Sequence, residues 1–224
     1  MISRDGQVVL SYNGEIYNFR ELRAELEALG HAFHSHTDTE VLLNAWVEWG
    51  ESCVGRLNGM FAFALWDKRE NVLFLVRDRY GIKPLYYASW GSTFLFGSEQ
   101  KAILAHPEAR RGLDKKALLE YFTFQNIFTD RTLMENIKLL PPATIARLSP
   151  AGAGTGDCGL RRKTYWDFRF REPDRPLDPR ECREELDRLL RQAVSRQLVS
   201  DVDLGSYLSG GMDSGTLTAL AARE

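Results

Sequence analysis

A seven-residue segment near the end of this 224-residue chain, Ser209-Gly210-Gly211-Met212-Asp213-Ser214-Gly215, has residue types suited to holding an anion. Glycines let the backbone approach a ligand closely, and successive N–H groups at a helix N-terminus favour an anion. Ser209 and Ser214 add hydroxyl donors. Asp213 would repel phosphate unless a cation lay between them, which indicates Mg²⁺ at Asp213. The alternative is a glycine-rich turn without a ligand, and the residue types alone do not separate the two.

No lysine follows this segment, so it is not a P-loop of the GxxxxGK[ST] kind. It lies between a predicted strand over 204–208 and a helix predicted from about Ser214. A longer helix is predicted before that strand, with Asp178 at its start and Pro179 at its first position. Strand, glycine-rich loop and helix together would place the N–H groups of the loop at a helix N-terminus.

A second set of polar residues lies near the start of the chain. Asn13-Gly14 follows a predicted strand over 8–12 and by itself favours a type I′ hairpin turn. Asp38, like Thr37, fits the start of a helix. Glu15 fits a solvated surface position. Residue types alone therefore give these positions structural explanations.

The elements around this second set alternate between helix and strand patterns. A helix is predicted over 19–29, with Asn18 as its cap and Glu21 in a capping box, and another from Thr37 or Asp38. The middle of the chain has four predicted strands, paired antiparallel through hairpins: 60–66, 72–76, 85–88 and 94–97. The apolar run Phe61-Ala62-Phe63 fits the core. This order indicates layered sheets covered by helices.

The composition shifts after Leu148. Residues 150–159 are rich in Gly and Ala, and residues 169–179 are charged and rich in Pro, so they predict a loop and a linker. We place a domain boundary near residue 170.

Composition and charge argue against several classes of protein. A net charge of −2 gives no electrostatic support for nucleic-acid binding. No apolar run approaches the roughly 18 residues needed to span a bilayer, and Arg4 and Asp5 stand where a signal peptide would be apolar. We therefore expect no nucleic-acid or membrane partner, and a cytoplasmic location.

Cysteine and histidine spacing does not indicate a metal site. Cys53, Cys158 and Cys182 form no CxxC pair, so neither a zinc site nor a disulfide framework is predicted. His31, His34 and His36 are spaced irregularly for one helix face, which favours a polar strand over a metal site. Arg77-Asp78 is predicted to be a structural ion pair.

The segment SGGMDSG is similar to the SGGxDS pyrophosphate loop of the ATP pyrophosphatase (adenine nucleotide α-hydrolase) superfamily. Those enzymes adenylate a substrate and release pyrophosphate, so the resemblance implies ATP and Mg²⁺ as cofactors. The residues implied in nucleotide binding are Tyr207, Leu208, Ser209, Gly210, Gly211, Asp213 and Ser214, with Asp213 as the metal ligand.

Residues 1 to about 150 resemble the class II glutamine amidotransferase domain. Five stretches carry the resemblance, in the order and spacing of glutamine-hydrolysing asparagine synthetases: YNGEIYN at 12–18, HTDTEV at 36–41, LNGMFAFALWD at 57–67, RDRYGIKPLYY at 77–87 and FGSEQKAIL at 96–104. The implied fold is of the α/β (α+β) class. It is the N-terminal-nucleophile αββα sandwich without its first strands, followed by the first helix-strand-loop-helix of an adenine nucleotide α-hydrolase domain. The implied domains are 1–168 and 179–224, with a linker at 169–178.

In that family an N-terminal cysteine attacks the side-chain amide of glutamine, and its own α-amine is the base. The resemblance implies that the Asn13 side-chain amide and the Gly14 N–H are the donors to the oxyanion. It implies that Glu15 lines the same pocket and that Asp38 pairs with the α-ammonium of glutamine.

Two parts of that family pattern are not found in this sequence. Met1 is followed by Ile2, so the nucleophilic cysteine is missing, and so is the arginine-containing stretch that binds the glutamine carboxylate. Cys53 has no free α-amine and cannot substitute. We therefore expect a fragment that is inactive alone in both half-reactions.

The resemblance implies a parent enzyme, a ligase of asparagine biosynthesis. It would use glutamine, aspartate and ATP, and form β-aspartyl-AMP that ammonia converts to asparagine. A homodimer is compatible with it. Two alternatives stay open: a β-lactam-synthetase-like relative with another acceptor, and a non-catalytic glutamine-binding module.

Overall fold

The computed structural model describes residues 1–149, 159–173, 177–200 and 202–224. They form two compact units, Met1–Asp167 and Phe168–Glu224. The predicted loop at 150–159, apart from Gly159, and the linker residues 174–176 lie outside the described residues, as does Cys158.

The first unit contains eight described strands and four α-helices. The strands are β1 (Val8–Ile16), β2 (Gly59–Asp67), β3 (Val72–Arg77), β4 (Tyr86–Trp90), β5 (Thr93–Gly97), β6 (Ile137–Leu139), β7 (Thr144–Leu148) and β8 (Arg161–Thr164). The helices are α1 (Phe19–Ala28), α2 (Asp38–Trp49), α3 (Gln100–Leu104) and α4 (Lys115–Phe124), and a 3-10 helix spans Gly50–Arg56. A five-stranded antiparallel sheet, sheet A, has the order β1-β2-β3-β7-β8, and a three-stranded sheet, sheet B, has the order β5-β4-β6.

Strand β2 shows how the layers are built, because alternate side chains point to opposite faces of a strand. Phe61 and Phe63 pack with helices α1 and α2, where Trp46 meets Phe63 edge to face at 6.1 Å between ring centroids. Ala62 and Ala64 face the other way, in a second cluster that includes the sheet B side chain Tyr87. Burying a side chain as large as that of Phe61 or Phe63 stabilises the fold by about 1.5–3 kcal/mol.

The far face of sheet B completes the stack. Ala88 of β4 and Ile137 of β6 form a third cluster with Ile103 of α3. The layers therefore run helix, sheet A, sheet B, helix. This confirms the predicted αββα arrangement and the buried Phe61-Ala62-Phe63 run.

The prediction of a hairpin turn at Asn13-Gly14 is wrong. Strand β1 continues through both residues to Ile16, and Gly14 lies opposite Phe61. Gly14 on β1 and Gly59 on β2 instead allow the backbones of these two strands to lie unusually close together. A Cβ atom on Gly14 would lie 2.3 Å from the carbonyl oxygen of Met60, and one on Gly59 would lie 2.1 Å from that of Glu15.

Helix α2 starts as predicted, and α1 is positioned by a different contact from the one expected. The Thr37 hydroxyl caps α2 by accepting from the Glu40 N–H at 3.3 Å, and Asp38 is the first helical residue. Asn18 does not cap α1 with its side chain. Its amide bonds the backbone of Arg56 and Asn58 instead, at 3.0 and 2.8 Å. The segment 31–36, predicted as a polar strand, is irregular with a bend at 34–35, and it pairs with none of the described strands.

The described part of the second unit contains two helices, α5 (Pro179–Gln197) and α6 (Met212–Ala221). Helix α5 begins as predicted, because the Asp178 carboxylate accepts from the Arg180 N–H at 2.8 Å. The strand predicted over 204–208 is not formed. A strand needs a partner for its backbone hydrogen bonds, and the described part of this unit offers none.

Candidate functional site

The start of helix α2 places Asp38 against strand β1 at Tyr12 and Ile16, the two residues that flank the segment Asn13–Glu15. One carboxylate oxygen of Asp38, Oδ2, accepts from the Tyr12 hydroxyl at 2.7 Å and from the Ile16 N–H at 3.0 Å. Asp38 is thus bonded on both sides of the Asn13–Glu15 segment. Residues that are 22 to 26 positions apart in sequence form one cluster.

The backbone N–H of Gly14 points to the outer edge of sheet A. Phe61, which faces Gly14, directs its N–H to the Asp78 carboxylate at 3.2 Å and its carbonyl to the Asp78 N–H at 2.8 Å. Both Phe61 groups point away from β1, so the facing pair is not hydrogen-bonded and Gly14 directs its own N–H outward. The outward bond of Ile16, two residues on, follows the same alternation. Gly14 therefore has an N–H donor at the open edge.

The Asn13 side chain lies on the face of sheet A that meets sheet B. Its Nδ2 donates to the Ser98 hydroxyl at 3.2 Å, and Ser98 directly follows β5. An amide nitrogen has two hydrogens, so this bond leaves one for another acceptor. Glu15 is exposed two residues further along the same face.

Glu40 holds the loop that leads into Asp38, a role that is not among the sequence-based predictions. Its buried carboxylate accepts from the His34 N–H at 2.8 Å, the Ser35 N–H at 2.7 Å and the Ser35 hydroxyl at 2.6 Å. Burial alone would raise the pKa of Glu40, but these donors outweigh it and lower the pKa below its ordinary value. The capping-box pattern at Thr37 and Glu40 was the available signal.

The predicted ion pair between Arg77 and Asp78 is wrong, because each group is satisfied by backbone. The Arg77 guanidinium donates to the carbonyls of Lys83, Leu140 and Gly81 at 2.6–2.8 Å. Burial lowers the pKa of Arg77, although the Asp78 charge opposes this. Asp78 accepts from four backbone N–H groups, those of Phe61, Tyr80, Ile82 and Lys83. Arg77 and Asp78 thus each bond the backbone of the 78–83 turn, and Asp78 also bonds Phe61, which faces Gly14.

In the described part of the first unit, the histidines and Cys53 form no group that could hold a metal ion. His31 Nε2 lies 2.7 Å from Glu48 Oε2. Across the described ranges, no three His, Cys, Asp or Glu side chains are placed to hold a metal ion. Cys53 is buried in the 3-10 helix, and burial raises the pKa of its thiol to about 12. A thiol in this environment is a poor nucleophile.

The glycine-rich loop of the second unit ends at the N-terminus of α6. Gly211 is its cap residue, and Gly210 has a φ of +81° that favours glycine. The hydroxyls of Ser209 and Ser214 lie 3.0 Å apart, and Ser214 also donates to the Gly211 carbonyl at 3.1 Å. Asp213 is exposed in the first turn of α6, and Tyr207 and Leu208 are exposed before the loop. This donor set suits a phosphate group, and one carboxylate beside phosphate oxygens suits Mg²⁺.

No helix in the described ranges is both long and apolar enough to cross a membrane.

Comparison with known proteins shows similarity over most of the chain. Asparagine synthetase [glutamine-hydrolyzing] 3 of Bacillus subtilis is 45% identical over 212 residues, which cover 94% of this chain and 33% of that protein. Asparagine synthetase [glutamine-hydrolyzing] 1 of the same organism is 37% identical over 94% of this chain and 32% of that protein. A putative asparagine synthetase [glutamine-hydrolyzing] of Mycobacterium tuberculosis is 35% identical over 96% and 33%. The chain thus spans about a third of the length of these relatives.

Solved structures show a more distant likeness. The glutamine phosphoribosylpyrophosphate amidotransferase of B. subtilis, complexed with ADP and GMP, has a TM-score of 0.48 and 17% identity, covering 100% of this chain and 46% of that one.

Two protein families match separate parts of the chain. The family described as asparagine synthase matches residues 185–224, and the one described as glutamine amidotransferase domain matches residues 1–166. The second match covers well over half of the chain, so the chain belongs to the glutamine amidotransferase domain family.

Proposed function

We propose that this chain carries the glutamine-binding domain and the first nucleotide-binding element of a glutamine-hydrolysing asparagine synthetase, with domains at 1–168 and 179–224 joined by a linker at 169–178. The observation that carries the proposal is the cluster at the end of β1. There the half-buried carboxylate of Asp38 accepts from the Ile16 N–H, two residues along the same strand edge from the outward N–H of Gly14. Asn13, which precedes Gly14, adds a side-chain donor.

This cluster matches the two ends of a glutamine molecule. The Asp38 carboxylate would pair with the α-ammonium, and a charge-assisted bond of this kind both binds and orients. The carbonyl oxygen of the side-chain amide would accept from the Asn13 amide and the Gly14 N–H. When a nucleophile attacks that carbonyl, negative charge develops on the oxygen, and fixed donors stabilise it. Glu15 would line the pocket on the Asn13 side.

The second unit supports the synthetase half of the proposal. The N–H groups at the start of α6 and the hydroxyls of Ser209 and Ser214 would hold the pyrophosphate part of ATP, with Tyr207 and Leu208 leading into the loop. Asp213 would contact Mg²⁺, which would offset the phosphate charge. The parent enzyme would then form β-aspartyl-AMP from aspartate and ATP with release of pyrophosphate. Ammonia from glutamine would displace AMP and give asparagine.

Calorimetry with L-glutamine tests the proposal on the chain itself. We expect saturable binding that Asp38→Asn weakens about tenfold or more, because a hydrogen bond to a charged group is lost. Asp114→Asn is the matched control. Asp114 is also an aspartate at a helix start, where it accepts from the Lys116 and Ala117 N–H groups. Equal binding by both variants would contradict the proposal.

A further inference from the structure

Tyr12 is the first residue of the YNGEIYN stretch at 12–18 and contacts Asp38. Its ring packs against the core formed by α1, α2 and sheet A. Its hydroxyl extends from that core to Asp38 Oδ2, at 2.7 Å. The phenol is therefore a donor fixed by a packed ring, and it meets the carboxylate that the proposed function assigns to the glutamine ammonium.

The two oxygens of Asp38 are bonded very differently. Oδ2 accepts from both the Tyr12 hydroxyl and the Ile16 N–H, the second at 3.0 Å. In the described part of the chain, Oδ1 has one long contact, from the Thr39 hydroxyl at 3.4 Å. Two donors on one oxygen fix the plane of a carboxylate. The lone pairs of Oδ1 then remain for a ligand cation.

The phenol stays a donor throughout the physiological pH range. Burial and the neighbouring Asp38 charge raise the pKa of Tyr12 well above its ordinary value of 10.0. The hydroxyl therefore keeps its proton at neutral pH. A backbone N–H alone would hold one oxygen but allow the carboxylate to rotate about that bond.

We propose that Tyr12 is a positioning residue that sets the preference of this pocket for ligands with an α-ammonium, by holding Asp38 so that Oδ1 faces the ligand. The proposal rests on the proposed function. It predicts an effect limited to the ammonium end of the ligand. Glutaramic acid, which is glutamine without its α-amino group, has the amide end alone and is the natural comparison.

The test compares Tyr12→Phe with Tyr165→Phe by calorimetry, using L-glutamine and glutaramic acid with the whole chain. Tyr165 is the matched control, because it is also a partly buried tyrosine whose hydroxyl donates one bond, to the Arg77 carbonyl at 3.0 Å. Both variants lose one hydroxyl bond, so we expect similar, small decreases in melting temperature. We expect Tyr12→Phe alone to weaken glutamine binding about tenfold while glutaramic acid binding stays unchanged.

The outcomes separate the two proposals. Equal glutamine affinity of the wild-type chain and Tyr12→Phe, with binding that still depends on Asp38, would overturn the role of Tyr12 and leave the glutamine site in place. A tenfold loss for both ligands would also overturn it, because the effect would then not be specific to the ammonium. No saturable glutamine binding by the wild-type chain would overturn both.

Discussion

The side-chain amide of Asn13 donates a hydrogen bond to the hydroxyl of Ser98 at 3.2 Å, across 85 residues of chain and between the two sheets. Asn13 lies on β1 of sheet A, and Ser98 follows β5 of sheet B. The two sheets meet through Ala62, Ala64 and Tyr87, so the distance between the bonded groups is set by core packing. The bond gives Asn13 one orientation.

Ser98→Ala is expected to free the Asn13 side chain. The unfolding free energy should fall by about 0.5–1.5 kcal/mol, as for one ordinary hydrogen bond. The Asn13 Nδ2 protons should exchange faster with solvent, as measured by NMR. Ser52→Ala is the control, since the Ser52 hydroxyl also makes one exposed bond, to the Trp49 carbonyl at 2.6 Å. Unchanged Asn13 exchange in Ser98→Ala would show that the bond does not orient the amide.

Gly14→Ala should destabilise the fold far more than an ordinary surface substitution. The new Cβ would lie 2.3 Å from the Met60 carbonyl oxygen and 2.7 Å from the Phe61 Cα, so β1 and β2 would have to separate. We expect a loss of at least about 2 kcal/mol by denaturant unfolding. Gly55→Ala is the control, because nothing lies within 4 Å of its Cβ position, and its change should stay within about 0.5 kcal/mol. Equal losses would argue against the close approach.

The contribution of Glu40 to the free energy of unfolding should decrease as the pH falls. The folded-state pKa of Glu40 lies below its ordinary value of 4.5, so its stabilisation is complete above that pH and is lost as the pH falls through the folded pKa. Glu40→Gln should cost about 1–3 kcal/mol at neutral pH, and less as the pH falls below 4.5. Unfolding curves of both proteins across this range measure the difference.

Glu27→Gln provides the surface comparison for Glu40. Glu27 pairs with Arg23 one helical turn away, at 2.9 Å, and its loss should cost no more than about 0.5 kcal/mol. If Glu40→Gln cost no more than Glu27→Gln at neutral pH, the carboxylate would not be what holds the loop.

Cys53 should be unreactive in the folded chain. With a pKa of about 12, its thiolate fraction at pH 8 is about 10⁻⁴, and the side chain is buried. In a variant with Cys158→Ser and Cys182→Ser, iodoacetamide should modify Cys53 in denaturant and negligibly under native conditions. Native modification at the rate of an exposed thiol would contradict its buried position.

The sequence predicted those elements whose apolar pattern is also their buried pattern. Strands β2 and β3 and helix α2 are of this kind: Phe63, Phe74 and Trp46 all meet in the core. Helices α3 and α4 and strands β6, β7 and β8 were not predicted. Leu119 and Phe122 of α4 are exposed, and all four residues of β8 are exposed, so neither element has a stripe that marks it.

The errors at the site have a related cause. Asn13-Gly14 has the composition of a turn, and only the partner strand β2 reveals that a close approach is what requires the glycine. Ser98 and Tyr12 act through contacts with residues 85 and 26 positions away. Local patterns carry no information on such contacts, whereas Asn13, Gly14 and Asp38 could be singled out by resemblance.

The central claim is that Asn13, Gly14 and Asp38 form one glutamine pocket, and an NMR titration of the ¹⁵N-labelled chain with L-glutamine tests it most directly. The account predicts saturable shifts of the Asn13 side-chain amide and of the Gly14 and Ile16 backbone amides, with one shared dissociation constant that rises at least about tenfold in Asp38→Asn. Shifts that do not saturate, or that centre elsewhere in the chain and ignore Asp38→Asn, would contradict it.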